Sequence, residues 1–297
     1  MEPLAGFRPI RIRTSDPDVE IVGHVGGDGP PLLLLHGNPL THRSWDRVAQ
    51  PLSQRFTVVA TDLRGYGDSG KPLGSDGHAN YTFRRMALDQ VDVMDAFGFD
   101  RFLLAGHDRG ARTAHRLALD HPQRVRKVVF LDILPTTAVV ADIDTQLALD
   151  LYHWWFMAQP RGFPETLLRG NETFYIRNKL MKQGPGKGGF SEAEIAEYTR
   201  VCTPENIHGV CEDYRASLGP DLEMDRADHA AGRRIEPPVL ALWGAASHVA
   251  LRHDPRAIWP EYCARPPAMN ELPCGHYPVE QAAEATLLQL QRFFEDD

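Results

Sequence analysis

A short apolar run, Phe102-Leu-Leu-Ala105, leads directly into Gly106-His-Asp108-Arg-Gly110, and helical spacing of apolar residues follows over Ala111–Asp120. Strand, glycine-flanked turn and helix in such quick succession describe a sharp elbow. The general form of this elbow is G-x-S-x-G, in which glycines flank a residue whose strained backbone leaves no room for neighbouring side chains. Here the central residue is aspartate, and that change redirects the chemistry. A serine must lose a proton before it attacks, whereas a carboxylate is already ionised near neutral pH. A carboxylate is a weak nucleophile, suited to displacing a leaving group from saturated carbon and forming an ester. Asp108 is therefore the expected nucleophile.

The surroundings fit an α/β sheet protein. Compact apolar runs at Pro31–Leu35, Phe56–Thr61, Phe102–Ala105, Lys127–Leu131, Val239–Trp243 and Met269–Leu272 read as strands buried on both faces. Phe83–Phe97, Ala111–Asp120 and Glu280–Phe294 carry helical periodicity. The alternation predicts a mostly parallel central sheet flanked by helices. It stops between about Thr136 and Asp225, where aromatics and helix-like stretches replace strands, and resumes at Pro238. The expected organisation is a core formed by residues 1–135 and 226–297, with a helical cap inserted over 136–225. Gly184–Gly189 (GPGKGG) follows no strand and lacks the ending of a phosphate loop, so it reads as a cap loop. The G-x-G-x-x-G spacing at Gly65–Gly70 opens no helix and reads as a loop that shapes the core.

An ester on Asp108 must be hydrolysed, which requires a base to activate water. Thirteen histidines are present, so position decides. Cys274-Gly275-His276-Tyr-Pro follows the last expected strand and precedes the last helix, and His276 is the expected base. No carboxylate follows Leu242-Trp243-Gly244-Ala-Ala-Ser-His248. Asp132, just past the strand after the elbow, is the expected orienting acid. His36-Gly37-Asn38-Pro39 follows the first central strand. The backbone N–H groups of Asn38 and Arg109 are expected to form an oxyanion hole facing the carboxyl of Asp108.

Arg109 and Arg112 lie at the start of the helix after the elbow, where a three-residue offset puts side chains on a common face. Two guanidiniums beside an anionic nucleophile suit a substrate carboxylate. With a net charge of −8, the chain has no general affinity for nucleic acid or anionic membrane, so any anion must be held by such local cations. No apolar run is long enough to cross a bilayer, and the N-terminus lacks the apolar core of a signal peptide. Four cysteines without metal-like spacing read as reduced thiols, and a cytoplasmic protein is expected.

The segments GHDRGAR (Gly106–Arg112), LDILPT (Leu131–Thr136), YHWWFMAQP (Tyr152–Pro160), CEDYRA (Cys211–Ala216) and ALWG (Ala241–Gly244) resemble the fluoroacetate (haloacetate) dehalogenases of the α/β-hydrolase fold. The likeness runs from about Leu32 to the end of the chain. It implies that His153, Trp154 and Tyr214 form a halide pocket, since an imidazole N–H, an indole N–H and a phenol O–H can converge on a departing halide. It also implies hydrolysis of a short 2-haloacid to the 2-hydroxy acid, without metal or organic cofactor. A homodimer is expected by analogy with similar enzymes. One departure stands out: these dehalogenases commonly carry H-G-F-P where this chain has Asn38. HGNP resembles haloalkane dehalogenases, whose asparagine helps to bind halide. The rival reading is an epoxide hydrolase using the same Asp–His–Asp logic with cap tyrosines as acids. A non-catalytic binding relative is a more distant alternative.

Overall fold

The computed structural model describes residues 4–182 and 189–295. Its organising element is an eight-stranded sheet: β1 (Phe7–Arg13), β2 (Glu20–Gly26), β3 (Pro31–Leu35), β4 (Thr57–Thr61), β5 (Phe102–His107), β6 (Val125–Leu131), β7 (Val239–Gly244) and β8 (Ala268–Leu272). Their spatial order is β1-β2-β4-β3-β5-β6-β7-β8. From β4 and β3 to β8 the neighbours are parallel, while β1 and β2 join as an antiparallel edge.

Alternation along each strand divides the core in two. Leu33, Leu35, Leu104, Val128, Phe130 and Ala241 face one layer, packed with Ala87, Met94, Ala111 and Leu117 from the helices Phe83–Ala96 and Arg109–Asp120. Leu32, Leu34, Leu103, Ala105, Val129 and Leu242 face the other, against Val48, Leu52, Leu290 and Phe294 of the helices Asp46–Leu52 and Ala283–Glu295. Successive side chains of a strand point to opposite faces, so a strand covered on both sides must be apolar at every position. The six strands expected from the sequence are all present, with ends moved by one or two residues. β1 and β2 were not anticipated. β1 lies at the sheet edge with charged residues alternating outward, and β2 carries Gly23, His24 and Gly26, so neither forms a continuous apolar run.

Between β6 and β7 the described residues contain helices and no strand, from Thr136 to Ala230. The last of these helices, Pro220–Ala230, runs past the boundary expected at 225. The segment is fastened to the sheet layer chiefly through the helix Pro204–Leu218. Asn206 donates to the Gly65 carbonyl at 3.0 Å and Tyr66 donates to Asp213 at 2.5 Å. From the next helix, Asp221 accepts from the Phe83 amide at 3.0 Å. The glycine-rich stretch expected as a loop falls, at 184–188, outside the described residues. The four cysteines are buried and unpaired. No helix among the described residues is long and apolar enough to cross a membrane.

Candidate active site

Parallel register brings the carboxyl ends of β3, β5, β6 and β7 side by side: Leu35 lies beside Gly106, His107 beside Leu131, and Leu131 beside Leu242. In open α/β sheets this edge is where ligands bind, because loops from several strands converge there. Asp108 follows β5 with φ 47° and ψ −113°, a left-handed conformation that is costly for a residue with a side chain. Its neighbours have no room for one. A Cβ on Gly106 would lie 2.5 Å from the Gly110 carbonyl oxygen, and one on Gly110 would lie 2.3 Å from that of Leu35. The turn therefore requires glycine on both sides of the aspartate. Gly37 serves the same end: a Cβ there would approach the Asp108 Cβ to 2.7 Å.

Asp108 is buried and accepts a hydrogen bond from the Asn38 backbone N–H at 3.0 Å. The Arg109 amide heads the helix Arg109–Asp120, whose first N–H groups lack intrahelical partners. Burial pushes the Asp108 carboxyl upward. The surrounding His276, His107, Arg109 and Lys179 outweigh it and hold the group below the ordinary carboxylate range.

His276 and Asp132 form a buried pair, with Nδ1 2.6 Å from a carboxylate oxygen. The other oxygen of Asp132 accepts from the Gly244 amide at 2.9 Å, so both sides of the carboxylate are fixed. Burial raises the Asp132 carboxyl, but the bond to His276 leads the opposing effects and keeps it below its usual value. Asp132 also adopts a positive φ, 52°, at the end of β6. The end of β7 thus contributes an amide, not a carboxylate, to this arrangement. Behind them, His107 stays neutral, lowered to about 4 by burial and by His276; its Nε2 is 2.7 Å from the His276 carbonyl oxygen.

Asp108, Arg112, Asp132, His153, Trp154 and His276 line one small cavity of about 10 Å³, room for a water-sized group. Arg112 is nine-tenths or more buried and has no carboxylate partner among the described residues. One of its terminal nitrogens donates to the Leu134 carbonyl at 3.1 Å and to Thr136 at 2.7 Å, while its Nε has no partner. The guanidinium stacks on the Trp154 ring at 4.6 Å. Burial and the neighbouring Arg109 lower its pKa to about 10, which leaves it charged at neutral pH.

Arg109 has a different setting from the one expected of it. Its guanidinium is fully buried between the rings of Phe83 and Tyr214, 4.7 and 4.2 Å away, and makes a forked pair with Asp213. A further nitrogen reaches Ser217 at 3.3 Å. The two arginines share a helix face, but a carboxylate 104 residues away in sequence has engaged the first. Arg112 is the one that lines the cavity.

Tyr214 accepts from the Asn38 side-chain amide at 3.1 Å, and its ring lies edge-on to His153 at 5.8 Å. His153, Tyr214 and the Asn38 side chain are thereby grouped next to Asp108, with Trp154 under Arg112. Burial, then Lys179, holds His153 well below its ordinary pKa, so it is neutral. Residues to which sequence reasoning gave no role also meet here: His248 lines the small cavity, and Lys179 contributes positive charge. No local pattern marks either one. Asp132, His248 and His276 are the described set whose ligand atoms lie close enough to share a metal, within 4.8 Å. The Asp132 carboxylate is already satisfied by His276 and Gly244.

Comparison with known proteins agrees with this fold. The family model described as "alpha/beta hydrolase fold" matches residues 30–184. A fluoroacetate dehalogenase from Burkholderia sp. is 41% identical over 94% of this chain and 91% of its own length. A soluble epoxide hydrolase from Corynebacterium sp. is 30% identical over 90% of this chain and 91% of its own. Among solved structures, an α/β hydrolase from Nostoc sp. superposes with a TM-score of 0.95 at 43% identity, covering 99% of this chain and 100% of that one. An elbow with aspartate at its apex, on this sheet and with these relatives, leads to one conclusion: the chain belongs to the fluoroacetate (haloacetate) dehalogenase family of α/β-hydrolase-fold enzymes.

Proposed function

We propose that the protein is a hydrolase of carbon–halide bonds that converts short 2-haloacids of the fluoroacetate or chloroacetate type to the 2-hydroxy acid and halide. The observation that carries this reading is the buried Arg112 guanidinium, which has no ion-pair partner among the described residues and lies in the same small cavity as Asp108 and His276. A buried cation without a counterion is costly, and a small substrate carboxylate would relieve that cost.

In this reading Arg112 holds the carboxylate. Arg109, fixed by Asp213, reinforces the positive field and offers what hydrogen-bonding capacity remains. An oxygen of Asp108 attacks the carbon beside the carboxylate in line with the halide. The C–O ester bond forms as the carbon–halogen bond breaks, and the halide leaves with the bonding pair. His153, Trp154 and Tyr214 receive it, with the Asn38 side chain next to Tyr214. Fixed compact donors matter most for fluoride, whose charge needs strong hydrogen bonding as the bond breaks. His276, oriented by Asp132, then takes a proton from water, and the resulting hydroxide adds to the Asp108 carboxyl carbon. The oxyanion is stabilised by the amides of Asn38 and Arg109; on its collapse the ester C–O bond breaks, and the leaving alkoxide takes the proton from His276 to give the 2-hydroxy acid and restore the Asp108 carboxylate. No step calls on a metal or organic cofactor.

The same reading places the enzyme in the cytoplasm, where its four unpaired thiols would stay reduced. It also makes the enzyme a homodimer, with exposed Leu149, Phe163, Leu167 and Phe174 on the helices between β6 and β7 as available apolar surface.

Halide-selective electrodes measuring fluoride and chloride from haloacetates, with styrene oxide turnover in parallel, test the function. Halide release is expected, and turnover of styrene oxide alone would replace this reading with an epoxide hydrolase. His276→Asn should accumulate the ester, seen as a carboxymethyl adduct on the Asp108 peptide, and Asp108→Asn should release no halide.

A further inference from the structure

His276, His153 and His248 line both the small inner cavity and a larger outer one of about 180 Å³ that also borders Tyr152, Lys179 and Leu251. Three imidazoles thus form the partition between the reacting carbon and the outside. They are not equivalent. His276 is pinned by Asp132 at 2.6 Å, and His153 is wedged edge-on between Tyr152 and Tyr214, at 5.7 and 5.8 Å. His248 opens the short helix His248–Arg252 after β7, and its nearest ring is His276 at 5.6 Å. Among the described residues its imidazole makes no hydrogen bond. Burial and the nearby His276 keep it neutral, lowered to about 4, so it forms an uncharged wall.

We infer that His248 is a specificity-determining residue: its ring closes the inner cavity toward the outer one and sets the size of substituent tolerated at the 2-carbon. This inference rests on the proposed carboxylate-bound haloacid. With the carboxylate on Arg112 and the halide opposite Asp108, a substituent on the reacting carbon has the partition as its way out. Of the three imidazoles in that partition, His248 is the one to which the proposed chemistry gives no role. The inner cavity, about 10 Å³, is much the smaller of the two, the outer being about 180 Å³, so the wall between them bears first on any group added to the reacting carbon. Removing the His248 ring would join the two cavities and give an alkyl substituent room beside Ala246 and Leu251. In a fitted pocket one methylene changes kcat/KM by roughly 10–200-fold.

The test compares chloroacetate with 2-chlorobutyrate in wild type, His248→Ala and His248→Phe. His248→Ala should raise the ratio of kcat/KM for 2-chlorobutyrate to that for chloroacetate by about tenfold or more. His248→Phe, which keeps a ring but cannot carry a proton, should keep the wild-type preference. A ratio unchanged in His248→Ala overturns the inference. So does an equal loss on both substrates in both variants, which would mark an imidazole that positions or relays for His276. If wild type releases no halide from chloroacetate, the proposed reaction fails on its own account. The partition is then read from binding: Trp154 fluorescence titrated with glycolate and 2-hydroxybutyrate should show the longer acid gaining affinity only in His248→Ala. Equal affinities in both proteins would sink it.

Discussion

Arg112 and Arg109 sit three residues apart on one helix and have opposite circumstances. The first is buried with its Nε unpartnered in the cavity that Asp108 also lines, and the second is locked to Asp213. Under the proposed function, the Arg112 guanidinium meets its counterion only when substrate arrives, and it contributes to binding in proportion to what it lacked before. Arg112→Ala is expected to lower kcat/KM for chloroacetate by about 10²–10³-fold, since a buried charge-assisted contact is worth about 2–5 kcal/mol. The loss should fall mainly on KM in steady-state halide assays. A variant with unchanged KM would show that the carboxylate binds elsewhere. Asp108 illustrates the other side of residue-scale design. Its positive φ costs on the order of 1–3 kcal/mol, and the dense backbone packing around Gly37, Gly106 and Gly110 holds it there.

At the scale of elements, the helix Pro204–Leu218 is joined to the elbow helix by the buried Arg109–Asp213 ion pair, with Ser217 and the Tyr214 ring also against the guanidinium. Asp213→Ala would leave the Arg109 charge buried and uncompensated, so it should destabilise the protein by about 3–5 kcal/mol in urea titrations. Replacing both partners, as in Asp213→Ala with Arg109→Met, should recover part of that loss, because the penalty lies in the orphaned charge; equal losses for single and double variants would contradict this. The short helix Pro278–Gln281 after the His276 loop holds a second buried charge problem. Among the described residues one Glu280 oxygen has no hydrogen-bond partner, and burial, only partly offset by the residue's own backbone amide and by Arg47, raises its carboxyl to about 8. The folded protein therefore keeps a proton that the unfolded chain gives up above about pH 4.3. Between those two values Glu280 costs stability increasingly as pH rises, and above about 8 the cost is constant. Glu280→Gln should then stabilise more at pH 8 than at pH 5, by on the order of 1–3 kcal/mol. Denaturation curves at the two pH values decide it, and an equal effect at both would mean that the native glutamate is already ionised.

Across the whole molecule, two apolar layers sandwich one sheet, and the four thiols are buried and unpaired. Nothing in the described structure depends on oxidation. The melting temperature should accordingly be the same with and without a reducing agent in differential scanning fluorimetry, and a drop of several degrees on reduction would reveal a bridge.

The sequence by itself determined the parallel centre of the sheet and the glycine-flanked turn at its edge. Strands covered on both faces must be apolar throughout, so Leu32–Leu35 and Leu103–Ala105 declare themselves, and glycines around Asp108 follow from a turn that admits no Cβ. Strands with one exposed face, such as β1, lose that signal because half their positions answer to solvent. Tertiary structure alone decided which partner each charged or polar side chain obtained. Helical spacing could place Arg109 and Arg112 on one face, but not reveal that Asp213 would arrive to claim one of them. Likewise, the stretch Gly244–His248 read as a loop without a carboxylate, and only the folded chain set its amide on Asp132 and its histidine against the cavity. Periodicity is a local property of the chain, whereas ion pairing and cavity walls are made by residues brought together from far apart in sequence.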